Sequence, residues 1–148
     1  MKVGILSDTH GVFREEWTAR LLDCDYLIHA GDISTKACYE KFGKLGIPVY
    51  MVRGNCDVGS WARYLPEFLS VKIGGKIFFI VHNRADLPFD LTEADVVVFG
   101  HTHLFEHTER FGKIFLNPGS AGQPRGDLRS MAVLELRGDS CDIRRILL

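Results

Sequence analysis

The sequence predicts a mixed α/β fold with two β-sheets, and three observations carry that prediction. In its first third, short apolar runs alternate with segments of helical periodicity. From residue 69 onward the helical periodicity fades and apolar runs come in pairs around glycine turns. Together the runs are too many for one sheet of ordinary width, so two are expected.

Residues 2–6 form a short apolar run that ends in Ser7-Asp8-Thr9-His10-Gly11, the pattern of a buried strand. Residues 12–22 carry Phe13, Trp17 and Leu21 at four-residue spacing, one apolar face of a helix. A second run, 26–30, ends in Gly31-Asp32. Ser34 or Thr35 then caps a helix through Leu45 with Cys38, Phe42 and Leu45 on one face, closed by Gly46. A third run, 49–52, ends in Arg53-Gly54-Asn55-Cys56-Asp57. This alternation implies parallel strands with helical crossovers. Runs 69–73 and 76–81 are joined by Gly74-Gly75, a hairpin signal. Run 96–99 stands alone, 105–110 and 114–116 flank Gly112, and 131–136 and 141–147 flank Gly138-Asp139. Mainly antiparallel pairing is expected there. With no repeat, linker or low-complexity segment, residues 1–148 are expected to form one domain.

Composition excludes several function classes. Eighteen Lys and Arg against nineteen Asp and Glu give a net charge of −1, which argues against a grip on long nucleic acid. No apolar run approaches the length of a membrane span and no cationic apolar leader opens the chain, so no membrane partner is expected. Cys24, Cys38, Cys56 and Cys141 form no C-x-x-C pair, and reduced thiols in a cytoplasm are expected.

The functional signal is a repeated grammar: apolar runs end in groups able to ligate a metal. Asp8 and His10 are two residues apart, and in extended backbone they would point to one side. Asp32 follows Gly31, Asn55 follows Gly54, His82 ends run 76–81, and His101 and His103 follow run 96–99 and Gly100. Parallel strands place such ends along one sheet edge, where open α/β folds bind ligands. Seven ligands exceed the needs of one ion and suit two, with Asp32 as the natural bridge. Oxygen and imidazole donors without thiolate favour two divalent transition metals, Mn, Fe, Zn, Co or Ni.

This series, together with Asn117-Pro118-Gly119-Ser120, resembles the calcineurin-like metallophosphoesterase superfamily, and most of all its small single-domain prokaryotic phosphodiesterases. The resemblance implies a four-layer α/β/β/α sandwich, two mixed sheets flanked by helices. It implies one metal held by Asp8, His10, Asp32 and His103 and another by Asp32, Asn55, His82 and His101. The implied reaction is metal-dependent hydrolysis of a small phosphoester, with a bridging hydroxide attacking phosphorus in line. Manganese is a natural cofactor, and a homodimer is a partner the resemblance allows.

Asn55, Cys56 and His82 are the candidate catalytic residues. Cys56 stands where many relatives carry a His able to protonate the leaving oxygen, and a thiol of ordinary pKa near 8.5 is a poorer acid. Activated or aryl phosphodiesters are therefore the expected substrates in vitro, unless Cys56 is only a small packed residue. Relatives also continue from His82 into Gly-His and a helix, whereas this chain has Asn83-Arg84 and the poor helix former Leu87-Pro88-Phe89-Asp90. A shortened helix is expected, with Arg84 as the candidate substrate-binding residue. His29 is expected as a buried hydrogen-bonded residue, His107 on a strand surface, and Asp57 as a carboxylate orienting His10 or another ligand. Two other functions compete: a metal-poor protein-binding scaffold of the same fold, and a nuclease on long polymers, which the charge disfavours.

Overall fold

The computed structural model describes residues Met1–Leu148. Strands β1 (Lys2–Leu6), β2 (Tyr26–His29) and β3 (Val49–Met51) are parallel neighbours. Helix α1 (Thr18–Leu22) lies between β1 and β2 in sequence, and α2 (Lys36–Gly43) between β2 and β3. The second sheet has the order β4 (Phe68–Ile73), β5 (Lys76–Val81), β6 (Val96–Val98), β8 (Lys113–Pro118), β7 (Phe105–Arg110). The last two strands, β9 (Ser130–Arg137) and β10 (Ser140–Leu147), return to the first sheet, which reads β10-β9-β1-β2-β3.

Strand alternation divides the apolar side chains between two layers. Val3, Ile5, Ile28 and Ala30 point between the sheets and meet Phe78, Ile80, Val96, Val98 and Leu116. Leu6, Leu27 and Met131 point outward and meet Trp17, Leu21, Cys38 and Phe42 from the helical side. Each fully buried Leu, Ile or Phe contributes about 1.5–3 kcal/mol relative to exposure. Thr35 caps α2 by accepting the Cys38 N–H at 3.2 Å. Gly74 and Gly75 both have positive φ (56° and 81°), which the tight β4–β5 turn requires.

Two expectations need revision. The helix expected over residues 12–22 begins later, as a 3-10 turn at Glu15–Trp17 that runs into α1. The backbone ahead of it is committed elsewhere: the N–H groups of His10 and Gly11 donate to the carbonyls of Asp32 and Ile33, at 3.0 and 2.7 Å. Phe13 still packs edge-on against Phe42. The second sheet is also more parallel than expected, because β5, β6 and β8 run the same way. Its hairpin pairs β4–β5 and β7–β8 are antiparallel. The parallel core brings the carboxyl ends of β5 and β6 to one rim.

The outer face of the second sheet is covered thinly. Phe79 and Val97 are sealed by Leu87, Leu91 and Ala94, and the covering segment contains only one 3-10 turn, Arg84–Asp86. The fourth layer is reduced to this strap, in keeping with the shortened helix read from the sequence.

Candidate metal centre

The carboxyl ends of β1, β2, β5 and β6 meet at the rim between the sheets. Backbone hydrogen bonds stitch them together: Asp8 N–H to Gly31 O at 2.9 Å, and Gly100 N–H to His82 O at 2.9 Å. Asp8, His10, Asp32, His101 and His103 all take positive φ, between 47° and 74°. Asp and His visit this left-handed region more readily than most residues, though at a cost. Asp8 and His10 therefore converge because the chain coils left-handed past the strand end, not because extended backbone alternates.

Four side chains form an inner cluster. One ligating atom from each of Asp8, His10, Asp32 and His103 lies within 4.8 Å of every other. Asp8 Oδ1 lies 3.2 Å from His103 Nε2 and 3.7 Å from His10 Nε2. Asp32 Oδ2 lies 3.6 Å from His10 Nε2 on one side and 3.3 Å from His82 Nε2 on the other. His101 Nδ1 is 3.3 Å from His82 Nε2. Asn55 is exposed and shares a cleft with His82 and His101. Asp32 thus stands between the inner cluster and this outer group.

The imidazoles are aimed by partners on their far nitrogens. His82 Nδ1–H donates to Ala30 O at 2.8 Å, and His103 Nδ1–H donates to Gln123 O, so both Nε2 atoms face the centre as acceptors. His10 Nδ1 meets the Ser34 hydroxyl at 3.3 Å. Asp8 Oδ2 accepts from Ser7 Oγ at 2.7 Å and from His101 N–H at 3.1 Å. Its other oxygen, Oδ1, is buried without any hydrogen-bond partner. A buried carboxylate oxygen left bare among three histidines and a second carboxylate is costly unless a cation sits there. On that count the residues fit a divalent metal.

Close backbone approach is part of the design. A Cβ at Gly54 would lie 2.1 Å from Asp32 Oδ1, and one at Gly100 would lie 2.0 Å from Ser7 Oγ. Any side chain at either position would displace a carboxylate or its anchor.

Electrostatics follow from crowding. Burial pushes the His10 imidazole below its ordinary pKa, and Asp32 and Asp8 only partly restore it. Burial also opposes charge on His82, but the Asp32 contact and the nearby Asp8 outweigh it and raise that pKa. Asp32 resists burial through the His82 contact and the Cys56 N–H, and its carboxyl falls to about 2. Cys56 is raised by burial and then by Asp32, so it is a protonated thiol at neutral pH and a weaker acid than an ordinary one. Its N–H donates to Asp32 Oδ1 at 2.8 Å, and its sulfur accepts from Asn55 Nδ2 at 3.5 Å.

Arg84 is not where the sequence led us to place it. Its guanidinium pairs with Glu106 at 3.2 Å and lies over the Phe99 ring, lining a separate hollow beside Phe111. Those two contacts, not the centre, hold its guanidinium. Asp57 braces backbone rather than a histidine: it accepts N–H bonds from Asp32, Ser34 and Gly54 at 2.9, 2.8 and 2.8 Å. His29 is fully buried and accepts the Gly31 N–H at Nδ1, so its Nε2–H donates to Thr9 Oγ1 at 3.0 Å. His107 is exposed on β7. Asn117 donates to Gly100 O and Thr102 Oγ1, holding the turn that carries His101 and His103. Sequence reasoning missed Ser7, Ser34, Ser120 and the carbonyls of Ala30 and Gln123. Ser120, whose Oγ donates to Asp8 O at 2.7 Å, was within reach through the Asn-Pro-Gly-Ser motif.

Residues 1–139 match the family model of the calcineurin-like phosphoesterase superfamily domain. The chain belongs to that superfamily. A probable metallophosphoesterase, YsnB of Bacillus subtilis, is 29% identical over 97% of this chain and 89% of its own. A solved archaeal phosphodiesterase superposes with a TM-score of 0.81 at 24% identity, over 100% of both chains. Vps29 of Entamoeba histolytica, solved in complex with zinc, reaches 0.76 at 24% identity, over 99% of both chains. As a calcineurin-like phosphoesterase the chain falls among phosphoester hydrolases, and its inner cluster is a candidate site for the divalent metals that family uses. No helix is long and apolar enough to cross a membrane.

Proposed function

We propose that this calcineurin-like phosphoesterase is a phosphodiesterase working through two divalent metals, and that residues 1–148 act as one catalytic domain. Asp8, His10, Asp32 and His103 would hold the inner ion, and Asp32, Asn55, His82 and His101 the outer one. Bound there, the two ions supply Lewis acidity toward phosphoryl oxygens and acidify water for in-line attack on phosphorus. The protein's own part is positioning. Ala30 and Gln123 keep His82 and His103 in the tautomer whose Nε2 faces the centre. Asp57 fixes the loops bearing Asp32 and Gly54. Asn55 contributes a neutral donor on the open side, which keeps the centre's charge low enough to admit an anionic ester. Cys56, protonated and next to Asn55, would be a weak proton source for the leaving oxygen. The free cysteines, two of them buried, suit a reducing cytoplasm.

The observation that carries the reading is Asp8 Oδ1, buried and unpaired within the four-residue cluster. The test is manganese-dependent hydrolysis of bis(4-nitrophenyl) phosphate. Wild type is expected to turn over, and Asp32→Ala to lose both bound manganese and on the order of 1,000-fold in rate. The likeness to Vps29 structures gives a second reading, a binding scaffold of the same fold. Tight manganese binding with no turnover of any phosphodiester would favour it.

A further inference from the structure

Beside the outer group lies a cleft of about 160 Å³, floored by Asn55, His82 and His101 and walled by Arg53, Glu67, Asn83 and Asp86. We infer that this cleft is a subsite for the alcohol group of the phosphoester, and that it takes a small neutral polyol such as a glycerol moiety. The inference deepens the phosphodiesterase reading and rests on it for the position of the phosphate.

Size and lining both point to this class. At about 160 Å³ the cleft lies well below the roughly 300–1,000 Å³ of sites that enclose a drug-sized ligand, so it suits a small group such as a glycerol unit. No aliphatic, Phe, Tyr or Trp side chain lines it, and its two imidazoles are those assigned to the outer ion, so a nucleobase or aryl ring would find no apolar face. Arg53 offers only donors, Glu67 and Asp86 only acceptors, and Asn83 both. A hydroxyl is donor and acceptor at once and can use every wall. An anionic group would meet two carboxylates, and a quaternary ammonium would meet Arg53 and no aromatic cage. Arg53 is already oriented by Glu67, at 2.9 Å. Asp86 and Asn83 come from the strap that replaces the usual helix, and the Asn83 side chain accepts the Ala85 N–H to start the 3-10 turn. The shortened strap thus forms one wall of the cleft.

The experiment pairs a binding readout with turnover. Glycerol 3-phosphate and phenyl phosphate are titrated into the manganese-loaded protein by calorimetry, and glycerophosphoglycerol, bis(4-nitrophenyl) phosphate and a dinucleotide are compared as substrates. Glycerol 3-phosphate is expected to bind about tenfold more tightly than phenyl phosphate, the worth of one or two net hydrogen bonds. Asp86→Ala and Glu67→Ala are expected to erase that ratio, and Asp86→Asn to keep part of it; both residues are exposed, so folding is not at stake. Among diesters, the dinucleotide should be poorest once rates are corrected for leaving-group acidity. Equal affinities, or a preference for the phenyl compound, would overturn the polyol subsite even if the aryl diester turns over. Glycerol selectivity without turnover of any diester would instead uphold the subsite and remove the hydrolase reading.

Discussion

The inner and outer halves of the candidate centre are built to different standards. Asp8, Asp32 and His103 are at most 2% exposed; loop backbone bonds tie Asp8 and Asp32, and Gln123 O holds the His103 ring. Asn55 and His101 are exposed and border the polar cleft. His82, buried at 4%, joins the two halves through Asp32. A buried, pre-arranged set of donors loses little on binding an ion, whereas an open set leaves positions for exchangeable groups. The contrast suggests a tight inner ion and a weaker outer ion that faces substrate.

The sharpest way to break this comparison is to remove one histidine from each half. His103→Ala strips the buried pole and is expected to lower affinity for the tighter manganese by about 100-fold or more, with turnover falling on the order of 1,000-fold. His101→Ala is expected to leave one tight ion per chain while turnover still falls about 100-fold or more. Metal content after dialysis, alongside calorimetry, reads the difference. If His101→Ala abolished the tighter ion, or both variants lost both ions equally, the two halves would be one unit.

A smaller effect is expected from Asp57, which touches no candidate ligand side chain. It is 4% exposed and accepts three backbone N–H groups from the loops bearing Asp32 and Gly54. Asp57→Asn turns one acceptor into a donor facing donors. Stability of the metal-free protein should fall by about 1–3 kcal/mol in chemical denaturation, and manganese affinity by about 10–100-fold. An unchanged denaturation midpoint with weakened metal binding would mean that Asp57 acts on the ions directly.

The same division explains what was legible in the sequence. Strand ends could be found because apolar runs stop at them, and that placed Asp8, Asp32, His82, His101 and His103 on one rim. The local reasoning for Asp8 and His10 was incomplete, since a left-handed turn is set by bonds to Gly31 and Asp32 that no spacing reveals. Carbonyls aiming imidazoles are invisible to side-chain reading: Ala30 and Gln123 act through atoms every residue has. The contacts of Arg84 were not legible because its partners, Glu106 on β7 and Phe99 just after β6, come beside it only in three dimensions. The thin fourth layer could be foreseen because proline and poor helix formers are properties of the segment itself.

The finest probe of the inner half is pH acting on His29, the buried imidazole behind Thr9. Burial drives its pKa down to about 3, against about 6.5 in an unfolded chain. The native state therefore refuses a proton that the unfolded state accepts, so stability falls as pH drops below about 6.5 and levels off near 3. The slope from this group approaches ~1.4 kcal/mol per pH unit at most. Asp127 also loses stability in acid, but in a lower window. Its carboxyl accepts from Phe105 N–H, Arg145 and Leu128 N–H and sits at about 2. Its contribution is present above about 4 and lost as pH falls toward 2. The interval from pH 6.5 to 4.5 therefore separates the two groups. His29→Gln keeps a polar partner for Thr9 without a titrating ring. In chelated protein, the difference in unfolding free energy between wild type and this variant should shift by about 2 kcal/mol across that interval, wild type weakening more. A constant difference would mean that His29 takes up its proton in place, and that the inner half is less rigid than its hydrogen bonds imply.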